Sequence, residues 1–172
     1  MLAEARIFVG IGSNLGDQVE HIRFACRELA RLPRTRLVGT SPWYRSAPVG
    51  PGAQGDYLNG VAELRSALPP EALLRGLHAI ENAAGRVRTV RWGSRTLDLD
   101  LLLHGAHRSA SSRLTLPHPR MTKRNFVVFP MSELAPALVL PDGSRVQSLR
   151  ALLHRGGLTR LGMSPEAFNA AA

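Results

Sequence analysis

Apolar and polar positions follow two different periods along this chain, and the changes of period mark its elements. A short apolar run at 6–11 ends in Gly12 and predicts a strand. From Asp17 the spacing changes: Val19, Ile22, Cys26, Leu29 and Leu32 recur at intervals of three and four, which predicts a helix with one apolar face. Asp17 with Glu20 three residues on resembles a capping box, and Pro33 stops the helix. Residues 37–44 read as a second strand, followed over 47–55 by a loop with two prolines and three glycines. Residues 57–64 alternate as a third strand. Pro69, Pro70 and Glu71 then open a helix with Leu73, Leu74, Leu77 and Ile80 on its apolar face, closed by Gly85. Residues 86–96 are polar and irregular, and 97–103 predict a fourth strand. Helices are expected over 126–134 and 146–153, with a weakly ordered tail from Gly156.

The order strand–helix–strand–strand–helix–strand matches the ferredoxin-like split βαβ arrangement, an α+β fold with an antiparallel sheet and helices packed on it. A chain of 172 residues can bury a core as one domain, and no repeat or linker divides it. A single domain is expected over 1–155, with a C-terminal tail at 156–172. Apolar residues make 44% of the chain and charged residues 20%, a globular balance. No apolar run approaches the roughly 18 residues of a membrane span. No basic start followed by an apolar block opens the chain, so no secretion signal is read and a cytoplasmic location is expected. Cys26, the only cysteine, excludes an intrachain disulfide framework and lies on the apolar stripe, where a buried structural thiol is expected.

Charge changes the picture. The net charge is +9, with 21 arginines and a single lysine, Lys123. Arginine in place of lysine can be purely compositional, but position is more informative. The 39 residues from Arg86 to Arg124 hold nine basic residues and two acids, a local +7, whereas the remaining 133 carry only +2. Within this stretch lies RWGSRTLDLDLL at 91–102. Asp98 and Asp100 are two apart in a predicted strand, so both carboxylates project from one face, roughly 7 Å apart along the chain. Leu97, Leu99 and Leu101 take the other face. Two like charges side by side repel unless a cation lies between them. Oxygen ligands alone suit magnesium better than zinc. The alternative is that each acid pairs with a neighbouring arginine. Arg86, Arg88 and Arg95 precede the acids and Arg120 and Arg124 follow, and guanidinium forks match phosphate oxygens. Arg108 and Arg113 read as a solvated face.

Familiar nucleotide motifs are missing. The single lysine does not follow a glycine, so there is no Walker A loop. Gly10, Gly12 and Gly16 only approach the dinucleotide fingerprint. Glu81 sits in the last turn of its helix, where the dipole disfavours an acid; it pairs with Arg86 or Arg88, or meets a ligand hydroxyl. Tyr57, Trp92 and Phe126 lie at junctions of loops and elements, which suits stacking on a flat ligand, with core packing as the alternative for Tyr57 and Phe126. Asn59 shares a strand face with Tyr57 and could read the polar edge of a heterocycle.

These blocks together resemble a known family. RWGSRTLDLDLL at 91–102 closely resembles the signature of 6-hydroxymethyl-7,8-dihydropterin pyrophosphokinases. GIGSNLGD at 10–17, YRSAPVGP at 44–51, QGDYLN at 54–59, IENAAGRVR at 80–88 and LPHPRMTKRNFVVFP at 116–130 resemble further family blocks, in family order. The resemblance implies transfer of pyrophosphate from ATP to the pterin hydroxymethyl group, with release of AMP, in folate biosynthesis. It implies that Asp98 and Asp100 ligate two magnesium ions and that Arg86 and Arg95 act on the phosphates. It further implies ATP contacts from Glu81, Arg88, Trp92, Thr115, His118 and Arg124. The pterin is expected between Tyr57 and Phe126, with Ser46, Pro48, Val49 and Asn59 along its polar edge. For His118 the residues alone suggest a structural role beside two prolines. Ser46 stands where threonine is common and keeps the hydroxyl, and GAQG at 52–55 carries an extra glycine.

The expected partners are ATP and the hydroxymethyldihydropterin, with neither nucleic acid nor membrane, and a monomer is expected. Two rivals remain: another magnesium-dependent phosphoryl or nucleotidyl transferase, and an RNA-binding module. The second wants aromatic rings on the two central strands, and a steep loss of affinity with salt would identify it.

Overall fold

The computed structural model describes residues 3–48, 55–85 and 96–161. Its largest sheet is antiparallel throughout. β1 (Ala5–Ser13) lies between β4 (Tyr57–Ser66), the middle strand, and β5 (Asp98–His104), an edge strand. The far edge of β4 is shared by β2 (Thr35–Thr40) and β3 (Tyr44–Ser46), and β8 (Leu158–Arg160) adds outside β3. α1 (Gln18–Arg31) and α2 (Pro70–Ala83) complete the split βαβ pattern.

Each helix begins where its sequence says it should. The Asp17 carboxylate accepts from the Glu20 amide (3.1 Å), satisfying one of the first-turn donors of α1, and Pro70 opens α2 without losing a needed donor. Ile22, Ala25, Cys26 and Leu29 of α1 and Leu73, Leu77 and Ile80 of α2 are buried. They close over Ile7, Val9 and Ile11 of β1, Leu58, Ala62 and Leu64 of β4, and Leu99 and Leu101 of β5. Burial pushes the Cys26 thiol up to about 12, so it packs as an inert apolar group, as expected.

The opposite face of the sheet carries Phe8, Val61, Leu102 and Leu103. Over them lie α3 (Asn125–Leu134) and α4 (Val146–Leu152), through Val127, Val128, Met131 and Val146. β6 (Ser109–Ala110) and β7 (Thr115–Leu116) form a small separate hairpin.

Two expectations require correction. The strand read over 37–44 is two strands. At the break, the Ser41 amide donates to the Val61 carbonyl (2.8 Å) and the Ser41 hydroxyl accepts from the Val61 amide (2.9 Å), so a side chain takes a place in the ladder. Pro42 has no N–H to continue it. Trp43 then turns over β4 so closely that a Cβ on Gly60 would lie 2.4 Å from its ring. The segment from Gly156, read as a weakly ordered tail, instead contributes β8, with Leu158 buried. Three residues with one apolar side chain are too short for a period to show in sequence. Among the described residues no helix is long and apolar enough to cross a membrane.

Candidate active site

The register of three strands assembles the site. Gly12 pairs with Asp98 on one side and with Asn59 on the other, and Gly10 pairs with Asp100 and with Val61. Side chains of paired residues share a face, so both acids stand beside a two-glycine strip, with Asn59 and Tyr57 beyond it. The strip is required at Gly12, where a Cβ would lie 2.9 Å from the Asn59 Oδ1 and 3.6 Å from the Tyr57 ring. At Gly10 a Cβ would meet Leu102 and Asp100 at ordinary contact distances of 3.6–3.7 Å. Leu97, Leu99 and Leu101 point away into the core, all at most 3% exposed, as the alternation predicts.

His118 and Arg124 converge on Asp100. The His118 amide donates to the Leu102 carbonyl (2.9 Å), which holds this loop against β5. Its Nδ1 accepts from the Arg120 amide (3.2 Å), so Nε2 carries the proton of the neutral ring and points toward the Asp100 carboxylate, 4.0 Å away. Burial is the main cause that pulls the His118 pKa down to about 4. The charges of Arg124 and Arg120 act in the same direction, against the opposing Asp98 carboxylate. His118 is therefore a neutral N–H donor at pH 7. The Arg124 guanidinium lies 3.6 Å from Asp100 and also over the Phe126 ring, 5.5 Å from its centroid. Arginine pairing, one of the two readings of the acids, is thus realised at Asp100.

On the far side of the glycine strip, the Asn59 amide donates to the Ser46 hydroxyl, and both residues are buried. This bond leaves the Asn59 carbonyl oxygen directed at the strip, since it is the atom a Gly12 Cβ would strike. Tyr57 is half-buried at the start of β4, Pro48 lies just past β3, and Phe126 is half-buried in the first turn of α3. Glu81 is buried at the end of α2, 2% exposed. Thr115 is exposed on β7, its hydroxyl 3.5 Å from the Ser111 carbonyl. Arg108 and Arg113 are both exposed, as a solvated face predicts. Val49, Arg86, Arg88, Trp92 and Arg95 lie outside the described residues. The ring of Phe8, on β1, is buried under α3 and 1% exposed, whereas Tyr57, read at a loop junction, is the first residue of the interior strand β4.

The structure also adds residues that the sequence did not single out. Gly10 and Gly12 entered only as a near-miss to a nucleotide fingerprint, although their spacing of two inside a strand marks them as a pair on one face. Gln18 donates to the Ser13 and Asp56 carbonyls, both at 2.8 Å, and Asn14 donates to the Gly55 carbonyl (3.3 Å). Together they tie the first loop to the residues that precede Tyr57. Nothing local in the sequence marks the bonds from Gln18 to Asp56 and from Asn14 to Gly55.

A family model for 7,8-dihydro-6-hydroxymethylpterin-pyrophosphokinase (HPPK) matches residues 8–136. The chain belongs to this family. It is 48% identical over 156 residues to the 2-amino-4-hydroxy-6-hydroxymethyldihydropteridine pyrophosphokinase of Pseudomonas aeruginosa, covering 91% of this chain and 96% of that protein. It is 46% identical over 142 residues to the Haemophilus influenzae enzyme of the same name, covering 83% and 89%. A crystal structure of HPPK-DHPS in complex with substrates superposes with a TM-score of 0.71 at 11% identity, over 92% of this chain and 47% of that one. A Plasmodium falciparum HPPK-DHPS gives 0.70 at 10% identity, over 88% and 46%. At that identity the two structures speak for the fold, and this HPPK-family chain spans a little under half their length.

Proposed function

We infer that this chain transfers pyrophosphate from ATP to the hydroxymethyl group of 6-hydroxymethyl-7,8-dihydropterin, releasing AMP, in folate biosynthesis. The observation that carries this reading is the strip of Gly10 and Gly12, with two carboxylates on one side and a buried, hydrogen-bonded amide on the other. One side suits a metal-bound phosphate chain and the other a heterocycle with donors and acceptors on one edge. The relatives carry the name of this activity.

Magnesium fits the acids. Asp98 and Asp100 offer hard oxygens, and among the described residues no group of three or more histidine, cysteine, aspartate or glutamate side chains could hold a metal. Such a pair suits an ion that keeps water and takes phosphate oxygens as its remaining ligands. Asp98 and Asp100 would hold two magnesium ions, which when bound neutralise the triphosphate and lower the pKa of the attacking hydroxyl.

The chain's own groups do the rest. Arg86, Arg88, Arg95 and Arg124 supply guanidinium forks for the phosphates, where charge develops as the β-phosphoryl group transfers. His118 donates its Nε2–H to a phosphate oxygen without adding a charge. Glu81, Trp92 and Thr115 hold the nucleoside end. Tyr57 and Phe126 stack on the pterin, while Asn59, Ser46, Pro48 and Val49 fix its edge and so orient the hydroxymethyl oxygen. That oxygen gives up its proton to solvent and forms a bond to the β-phosphorus as the bond between this phosphorus and the oxygen bridging to the α-phosphorus breaks. AMP leaves with the bridging oxygen.

Product analysis tests the reading. With ATP, magnesium and the pterin, AMP should form in equal amount to the pterin pyrophosphate. ADP as the nucleotide product would refute it and favour a phosphoryl transferase.

A further inference from the structure

Residues 154–161 hold none of the groups assigned to this chemistry, yet they are built against the pterin side of the site. Asn125 opens α3, one residue before Phe126. Its side-chain amide donates to the carbonyls of His154 (3.0 Å) and Gly156 (3.2 Å). Those carbonyls belong to a tight turn. The Gly156 amide donates to His154 Nδ1 (2.9 Å), the Leu158 amide donates to the Arg155 carbonyl (3.1 Å), and Gly157 has a φ of +74°.

From the turn, β8 runs along β3 and pairs Leu158 with Ser46 and Arg160 with Tyr44. The ladder continues past both ends, from the Ala47 amide to the Gly157 carbonyl (3.2 Å) and from the Leu161 amide to the Trp43 carbonyl (2.9 Å). Leu158 is buried with Tyr44 and Phe129, and Phe126 packs against this group. Arg160 reaches Glu133 of α3 (3.0 Å), and Glu133 also accepts from the Tyr44 hydroxyl.

These contacts serve two elements that are weak by themselves. β3 has only three residues, and α3 begins without a side-chain cap. β3 carries Ser46, the partner of Asn59, and α3 carries Phe126. The carboxylates stand on β5, at the other edge of the sheet from β8. Support that merely completed the fold would affect both substrates alike. This support reaches the pterin side through both β3 and α3, and the nucleotide side only through Arg124, the residue before α3.

We propose that residues 154–161 brace the pterin side of the site, and that Asn125 is the positioning residue through which this brace holds the Phe126 ring. The proposal rests on the function inferred above. Asn125→Ala removes two hydrogen bonds from a partly exposed position and leaves the core untouched. Binding of 6-hydroxymethylpterin, read by its own fluorescence with magnesium and α,β-methylene ATP present, should weaken about tenfold. The affinity for the nucleotide alone should stay within about twofold. Hydrogen exchange should quicken at the Ala47 and Leu161 amides. Arg160→Ala, at a side chain 47% exposed, should likewise weaken pterin binding and quicken exchange at both amides, with the nucleotide affinity again within about twofold.

Unchanged pterin affinity in Asn125→Ala would overturn the brace, and so would equal weakening of both ligands. Weaker pterin binding without faster exchange at Ala47 and Leu161 would also overturn it, because Asn125 would then act on the ligand directly. Failure of the wild-type chain to bind the pterin or to form AMP would refute the function itself, and the brace with it.

Discussion

Replacing Gly12 with alanine puts one methyl group where the two halves of the site meet. The added Cβ would lie 2.9 Å from the Asn59 Oδ1, closer than such contacts tolerate. Asn59 cannot yield freely, because it is buried and its amide donates to the buried Ser46 hydroxyl. Turning the amide away breaks that bond and leaves buried polar atoms without a partner, at roughly 1–3 kcal/mol. For a chain of this length that is a fall in Tm of about 3–10 °C. The same rotation removes the edge proposed to read the pterin, so KM for the pterin should rise at least about tenfold while KM for ATP changes little. Two other glycines calibrate the effect. Gly10→Ala meets Leu102 and Asp100 at 3.6–3.7 Å, ordinary contact, and should leave Tm within about 2 °C of wild type. Gly60→Ala would drive a Cβ to 2.4 Å from the buried Trp43 ring and should cost about 3 kcal/mol or more. Thermal unfolding and steady-state kinetics on the three variants give the test. Normal pterin KM in Gly12→Ala, or an equal loss of stability in Gly10→Ala and Gly12→Ala, would refute the reasoning.

Further outcomes follow from the same geometry. Asp98→Ala and Asp100→Ala should each lower kcat by about a thousandfold or more with the fold kept, as judged by circular dichroism; near-normal turnover in either would make the acids salt-bridge partners only. Arg95→Ala should lower the chemical step more than pterin binding, which single-turnover measurement separates from pterin affinity, and equal loss of both would contradict its role on the phosphates. His118 titrates at about 4 in the folded chain against about 6.5 unfolded, so the unfolded chain binds more protons between those values. Stability from this group is complete above pH 6.5 and is lost as pH falls toward 4, by roughly 3 kcal/mol at most. Urea unfolding of wild type and His118→Gln at pH 7.5 and pH 4.5 checks this: the variant should lose less stability on acidification, and parallel losses would refute it.

The sequence revealed the parts of the fold that repeat a period often enough to be counted. α1, α2, β1, β4 and β5 each bury several side chains at regular spacing, and their order specified the split βαβ arrangement. The break between β2 and β3 was hidden because the Ser41 hydroxyl replaces a backbone ladder group, which no hydrophobic pattern records. β8 was hidden for a different reason: its place depends on β3, more than a hundred residues earlier. Within the site, the Asp98–Asp100 pair could be read because alternation in a strand determines both faces at once. Asn59 and Ser46 could be named individually, but the bond between them depends on the register of β3 against β4. Gln18 reaches the Asp56 carbonyl and Asn125 the carbonyls of His154 and Gly156, all in distant segments, and such bonds leave no mark on composition or spacing.

The concentration of charge between Arg86 and Arg124 acquires a more specific meaning from Arg124. Its guanidinium touches the carboxylate side of the site through Asp100 at 3.6 Å and the aromatic side through Phe126 at 5.5 Å. A cation held at Asp100 competes for the same carboxylate oxygens, since two positive groups close to one carboxylate repel each other across a short distance. Arg124 is only partly exposed, its side chain at 24%, so water screens that repulsion incompletely. On the proposed function, a metal–nucleotide complex bound at Asp100 would draw Arg124 toward the incoming phosphates, and that group is the one that lies over Phe126. Filling one half of the site would then rearrange a wall of the other. On the proposed function, the local positive charge would couple the two substrates as well as hold the triphosphate.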